Sequence, residues 1–338
     1  MSGAPVSLLQ GTGFPGRGEG AGGISDRRGR AMTAIRIGTR GSRLALVQTG
    51  MVAQALHACL PDAQIETVII KTKGDKILDK PLGDIGDKGL FVSELETALL
   101  ERKVDLAVHS AKDLPMSLAE GLEILAVPER ADARDVLVQV RKKDSDPEGA
   151  QEGFASLPAN PVIGTGSKRR ELYVKELCPG AQVKLIRGNV ETRLSRLEEG
   201  LYDGIILAKA GLDRLGILER EKGRFHFTPL EPSLFLPAAC QGIIAVEGRK
   251  DWEYLEEISR ISHRESLLSF EAERRVLEAL QADCSQPAAA YSVIEKTKET
   301  EKLRLTVMYG GCQVKGEWGV KERYALADAL SSQVRREP

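Results

Sequence analysis

Apolar residues in this chain switch period repeatedly, and that alternation constrains the fold more than any other feature. From Ala34 the pattern reads as strand Ile35-Arg36-Ile37, helix 42 to 59, strand 65 to 70, helix 91 to 102, strand 105 to 109 and strand 122 to 127. Strands alternating with helices predict an α/β unit. In the second helix Phe91, Leu95, Ala98 and Leu99 recur on one face, while Glu94, Glu96 and Glu101 fall elsewhere. Val104, Leu106, Ala107 and Val108 then form a buried-strand run, which sets His109 to Asp113 just past the strand's carboxyl end. Ligands of open α/β sheets sit at that edge.

A polar, proline-containing stretch from Arg141 to Pro161 breaks the pattern, and the alternation restarts. Strand 162 to 164, helix 167 to 177, strand 183 to 186, helix 190 to 199 and strand 204 to 208 predict a second α/β unit. After Pro229, Pro232 and Pro237 come strand Ile243 to Glu247 and helices near 251 to 261 and 264 to 281. Strands 289 to 295 and 303 to 309 and a final helix near 324 to 332 predict a small α+β domain. The expected division is a disordered leader over 1–33, domain 1 over 34–130 plus 240–262, domain 2 over 131–239 and domain 3 over 263–338. Residues 1 to 31 are rich in Gly and Arg without hydrophobic periodicity, so they cannot bury enough apolar surface to order themselves.

Acidic and basic residues nearly cancel, 49 against 48, so the chain lacks the basic excess of a general nucleic-acid or membrane-surface binder. No apolar run approaches the roughly 20 residues that span a bilayer, and no compact hydrophobic segment near Met1 resembles a secretion signal. The expected compartment is the cytoplasm, or an organelle stroma if residues 1–31 act as a transit peptide. Five scattered cysteines, with no Cys-x-x-Cys pair, read as free thiols, and the four histidines show no helical two-His spacing. No metal site is expected.

Any basic site must therefore be local, and basic residues do cluster at element ends. Arg40 and Arg43 precede one helix, Lys168, Arg169 and Arg170 open another, and Arg187 and Arg193 flank a third. A helix amino end already carries partial positive charge, so cations there favour a bound anion over helix stability. Arginine also pairs bidentately with carboxylates. Solvated surface charge is the alternative for any one of them. Asp113, before Leu114-Pro115, has the alternative role of a turn acceptor, but its place after a buried strand beside Lys112 suits a functional carboxylate. Adjacent His109 and Ser110 point opposite ways on a strand, which argues against a nucleophilic Ser-His pair.

Taken in order, Ile37-Gly38-Thr39-Arg40-Gly41-Ser42-Arg43-Leu44-Ala45-Leu46-Val47-Gln48, Thr72-Lys73-Gly74-Asp75, Asp87-Lys88-Gly89-Leu90-Phe91, His109 to Pro115, Gly164 to Arg170, Arg187 to Arg193 and Ala210-Gly211-Leu212 resemble the porphobilinogen deaminase family, the hydroxymethylbilane synthases. The likeness runs from about Ile35 to Ala290. It implies three domains: two α/β lobes similar to type II periplasmic-binding proteins around an active cleft, plus the small α+β domain. It implies an enzyme that couples four porphobilinogen molecules head to tail on a covalent dipyrromethane primer and releases linear 1-hydroxymethylbilane. A monomer with a small-molecule substrate, and with neither nucleic acid nor membrane as partner, is implied as well.

By the same resemblance Asp113 is the catalytic aspartate, placed to stabilise the azafulvene cation left when ammonia departs. Arg40, Ser42, Lys88, Ser110, Lys112, Thr165, Ser167, Arg169, Arg170, Arg187, Gly188, Asn189, Arg193, Arg214 and Gln241 are the implied binding residues. Cys284 is the implied thioether cysteine, because its loop follows a helix containing Ala272-Glu273-Arg274 and precedes a strand. Gly310-Gly311-Cys312 copies the family loop only superficially. The chain departs from the family where Ala282-Asp283 replaces paired glycines, where Ala111 replaces Met or Leu, where Asp84 stands for Lys, and where Cys240, expected near the cleft edge, precedes Gln241-Gly242. Two rival expectations are a non-catalytic two-lobed anion sensor, which the fold alone allows, and a cysteine hydrolase, which lacks a histidine near Cys284 in sequence.

Overall fold

A computed structural model describes residues 34–72, 92–141, 153–282 and 286–336. The expected leader over 1–33, together with Asp84, Lys88 and Cys284, lies outside the described residues.

The first unit runs β1 (Ala34–Thr39), α1 (Arg43–Cys59), β2 (Gln64–Ile69), α2 (Ser93–Leu100), β3 (Leu106–Ser110) and β4 (Leu122–Ala126). The second runs β5 (Asp135–Val140), β6 (Val162–Gly164), α3 (Lys168–Leu177), β7 (Gln182–Lys184), α4 (Val190–Glu198), β8 (Gly204–Ala208), α5 (Lys209–Arg214), α6 (Ile217–Arg220) and β9 (Phe225–Leu230). The chain then returns through β10 (Ile244–Arg249) and α7 (Leu255–Ser259) to the last unit, α8 (Arg264–Leu280), β11 (Ala288–Lys296), β12 (Glu301–Tyr309), β13 (Cys312–Gly319) and α9 (Arg323–Val334).

The first sheet has the order β2-β1-β3-β10-β4 and the second β7-β6-β8-β5-β9. In each, four strands run in one direction and one, brought in by a crossover, runs antiparallel to both its neighbours: β10 between β3 and β4, and β5 between β8 and β9. The protein is thus a two-lobed α/β molecule with a separate three-stranded sheet, the architecture the resemblance implies. The carboxyl ends of β1, β2, β3 and β8 all give on to the same inter-lobe cleft, whose wall includes Arg40, Ile69, Ser110 and Ala208.

Three strands were not anticipated. β5 reads Asp-Val-Leu-Val-Gln-Val and is buried over its first four residues, so it has neither alternation nor a polar face to mark it. β9 contains Pro229, tolerated because β9 is a sheet edge. β13 carries Gly316, where an added Cβ would lie 2.9 Å from Leu326, so the glycine is what lets α9 pack down on the sheet.

In the last unit Leu268, Ala272, Val276 and Leu280 recur every fourth residue on α8 and bury against Leu303, Leu305 and Val307 and against Leu326 and Leu330 of α9. Each large side chain so buried contributes about 1.5–3 kcal/mol. Glu273 of α8, fully buried, accepts from Arg130 Nη1 at 2.7 Å, Cys240 N at 2.6 Å and Ser292 N at 2.8 Å. Arg130 and Cys240 belong to the two crossovers, so one carboxylate ties both to the C-terminal unit.

Candidate active site

β3 carries its residues to the cleft by burying four of its five positions. The chain then leaves the sheet as a single 3-10 turn, Ala111–Asp113. Ala111 N donates to Ile243 O at 3.0 Å, and Leu114 N donates back to Ala111 O at 3.3 Å. Asp113 is thereby lifted into a cleft of about 980 Å³, where its carboxylate makes no hydrogen bond or ion pair among the described residues. The adjacent pair diverges as expected: His109 Nε2 lies 2.9 Å from Glu247 Oε2, while Ser110 Oγ accepts from Gln48 Nε2 at 2.9 Å.

Arg40, Lys71, Lys112, Arg170, Arg187, Arg193, Arg196 and Arg214 line the cleft, against Asp113 and Glu191 as the acidic residues among those described. Glu191 is reached across the cleft by Arg43 Nη1 at 3.4 Å, which leaves Asp113, among the described residues, as the cleft carboxylate without a cation in ion-pair contact. Burial pulls Arg193 down to about 10, with Arg170 and Arg187 adding to the effect and Asp113 opposing it. Burial likewise pulls Arg214 down to about 10. Both remain cationic at neutral pH. Arg187 Nη1 and Arg214 Nε are buried without a hydrogen-bond partner, which is the condition in which a guanidinium favours an incoming carboxylate.

Local chemistry fixes this wall. Ser42 caps α1 by accepting from Ala45 N at 3.3 Å, and Asn189 caps α4 by accepting from Thr192 N at 2.8 Å. Gly188 has φ +109°, and a Cβ there would lie 2.9 Å from Thr192 Cγ2, so the turn admits only glycine. Arg193 Nε and Arg196 Nη1 donate to Gly188 O at 2.9 Å and Arg187 O at 3.1 Å, holding the loop open to the cleft.

Other expected binding residues lie behind the wall. Arg169 is 3 % exposed: its Nη1 sits 2.8 Å from Asp135 Oδ2 and donates to Leu236 O at 2.7 Å. Arg170 Nη2 donates to Asp135 Oδ1 at 2.7 Å, so Asp135 holds two guanidiniums although only Arg170 reaches the cleft. Gln241 is buried too. Its Nε2 donates to Asp135 Oδ1 at 3.0 Å, and Lys112 Nζ reaches its Oε1 at 3.3 Å. Thr165 is buried, accepting from Ser167 N at 3.1 Å, and Ser167 caps α3. Burial lowers Lys112 to about 8, opposed by Asp113 and Asp135 and assisted by Arg170 and Arg169; its ammonium points inward to Gln241 while the rest of the side chain stays half-buried at the cleft.

Asp135 escaped the sequence reading, although a lone carboxylate opening an apolar strand is a usable signal. Lys71 and Arg196 escaped as well; Arg196 lies one helical turn from Arg193 and could have been found by that spacing. Cys240, expected at the cleft edge, is instead 1 % exposed behind the cleft wall, with its Sγ 3.8 Å from Phe270 O and φ at +59°. Burial, with Glu273, pushes its thiol up, so it is a poor nucleophile.

Burial alone would raise the Asp135 carboxyl, but Arg169 and Arg170 override it and hold it below the usual aspartate range. A depressed folded value means its contribution is fully present above about pH 4 and is lost as pH falls toward that value. Asp135→Asn is expected to destabilise the second lobe by about 3–5 kcal/mol at neutral pH, because two guanidiniums then stay buried against a neutral group. Chemical denaturation of parent and variant at pH 7 checks this; a change under about 1 kcal/mol would contradict it.

The sequence model of the family described as "Porphobilinogen deaminase, dipyromethane cofactor binding domain" matches residues 35–257. Porphobilinogen deaminase of Syntrophobacter fumaroxidans is 46% identical over 259 residues, covering 76% of this chain and 79% of that protein. Porphobilinogen deaminase of Acetivibrio thermocellus is 45% identical over 275 residues, 81% of this chain and 87% of its own. That of Rickettsia prowazekii is 44% identical, covering 77% and 83%. Among solved structures, the VFT2 domain of Bordetella pertussis BvgS matches at 14% identity with a TM-score of 0.41, over 71% of this chain and 92% of that one.

Proposed function

The chain belongs to the porphobilinogen deaminase family, and we propose that it performs this reaction with Asp113 as the carboxylate at the reacting ring and Cys284 as the primer's attachment point. It is a transferase of tetrapyrrole biosynthesis, a hydroxymethylbilane synthase with a dipyrromethane cofactor. When bound, the dipyrromethane supplies the free pyrrole carbon from which the product grows. A primer and product bearing an acetate and a propionate on every ring fit a wall whose buried Arg187 Nη1 and Arg214 Nε lack partners.

Each part of the site then has a task. Arg40, Arg187, Arg193, Arg196 and Arg214 bind ring carboxylates from both sides of the cleft and keep the chain of rings in register. Asp113, free of described partners, accepts hydrogen bonds from pyrrole N–H groups and stabilises positive charge developing on the substrate as ammonia leaves. Asp135 and Gln241, behind the wall, orient Arg170 and Lys112 without touching substrate. Lys88 is assigned with the wall by the family pattern alone. The three sheets support a division into 34–130 plus 240–262, 131–239 and 263–338. Porphobilinogen is the proposed substrate, and a monomer in the cytoplasm is the proposed working state. No helix among the described residues is long and apolar enough to cross a membrane.

The observation that carries the assignment of roles is that, among the described residues of a cleft rich in cations, Asp113 is the one carboxylate no cation engages. Supplying purified protein with porphobilinogen should release four ammonia molecules per linear tetrapyrrole and produce covalent species spaced by one pyrrole unit in the intact mass. Ammonia release without covalent species would sink the primer mechanism.

A further inference from the structure

Arg274 is 9 % exposed on α8, and no carboxylate lies within ion-pair distance of it among the described residues. Its guanidinium is instead aimed at the chain immediately after Asp113: Nη1 donates to Leu114 O at 3.3 Å, and Nη2 donates to Pro115 O at 2.6 Å and Met116 O at 2.7 Å. A buried cation answered only by carbonyl dipoles is a weak device for stability, because an apolar side chain of similar volume would avoid its desolvation. Its value lies in geometry, since the rigid guanidinium fork meets three successive carbonyls at fixed angles.

We propose that Arg274 is a positioning residue of the coupling reaction, acting through Asp113; this rests on the catalytic role proposed for Asp113. The turn bearing Asp113 is anchored on its entry side by Ala111 N to Ile243 O at 3.0 Å and on its exit side by Arg274. Without the exit anchor the turn keeps its entry hydrogen bond but gains freedom at the position of the carboxylate. The anchor comes from the helix that ends at Leu280, shortly before Cys284 in the chain. The C-terminal unit, through one side chain, therefore sets where the catalytic carboxylate stands. Displacement of a reacting group by about 1 Å is enough to slow a reaction by one to two orders of magnitude.

The test is a double-mutant cycle on cofactor-loaded enzyme, reading the rate of the first substrate addition by rapid-quench intact mass, a rate constant that does not depend on the active fraction. Arg274→Met is expected to slow this step roughly tenfold in the parent but less than about twofold in an Asp113→Glu background. Amide exchange at Leu114 should rise in Arg274→Met whether or not the cofactor is loaded. Arg274→Lys, which keeps the charge but not the fork, runs through the same cycle if the methionine variant does not fold, and should lose part of the rate. Equal slowing in both backgrounds, or a parent-like rate, overturns the proposal. An Asp113→Glu enzyme as fast as the parent would instead remove the role of Asp113, a distinguishable failure.

Discussion

Asp113→Asn should slow each substrate addition by roughly two to four orders of magnitude while leaving the fold and the substrate's affinity close to those of the parent. The size of the effect follows from what surrounds this carboxylate. Arg40, Arg187, Arg193 and Arg214 make the cleft favourable for anionic rings but unfavourable for the positive charge that develops as ammonia departs. Asp113 is the group among the described residues that can reverse the sign of the field at the reacting carbon, since Glu191 is engaged by Arg43. Asparagine keeps the shape and one acceptor oxygen but not the charge. It should leave stability nearly unchanged, because the Asp113 carboxylate has no described partner to lose. Affinity should hold or tighten, since the substitution removes a negative charge from a site that binds carboxylates. Rapid-quench intact mass would follow the first addition, with thermal unfolding alongside. A variant retaining more than about a tenth of the parental rate would transfer the role elsewhere.

How much of this was legible in the sequence depended on whether a residue's partners are near it in the chain. The run Val104 to Val108 announces a buried strand and so locates Asp113, and Ser42, Ser167 and Asn189 mark helix starts through their own side chains. Whether an arginine at such a start faces the cleft or the interior is not a local property. Arg169 turns inward because Asp135, on a strand of a different register, arrives beneath it; Arg187 finds no such partner and is left at the wall. Neither the strand carrying Asp135 nor its role was anticipated, since an apolar run that starts with aspartate resembles a helix fragment as much as a strand. Cys240 shows the converse. Its place before Gln241-Gly242 suggested a thiol near the cleft edge, but the left-handed turn buries the side chain against Phe270, and only the path of α8 in three dimensions determines that.

The C-terminal unit bears on the second large effect, Cys284→Ser, which should yield a protein with the mass of the bare polypeptide and at least a roughly thousandfold loss of turnover, because the primer holds the product chain throughout. Serine keeps the size but not the soft, easily deprotonated sulfur. Chemistry as well as position favours Cys284 over the other cysteines. Cys240 is buried, its thiol raised by burial, and its turn is held by Glu273. Cys312 opens β13 opposite Tyr309, within the hydrogen-bonded sheet and half-buried beside its core. The chain on either side of Cys284 is anchored: Ala282 N donates to Leu277 O at 3.1 Å at the end of α8, and Tyr309 donates to Gln286 Oε1 at 3.3 Å before β11. Cys240→Ser and Cys312→Ser should both keep the adduct of two linked pyrrole units. An adduct that persists in Cys284→Ser and vanishes in Cys312→Ser would move the attachment point to β13, and would then require the growing chain to approach Asp113 from the sheet of the last unit instead of from the helix whose Arg274 holds the Asp113 turn.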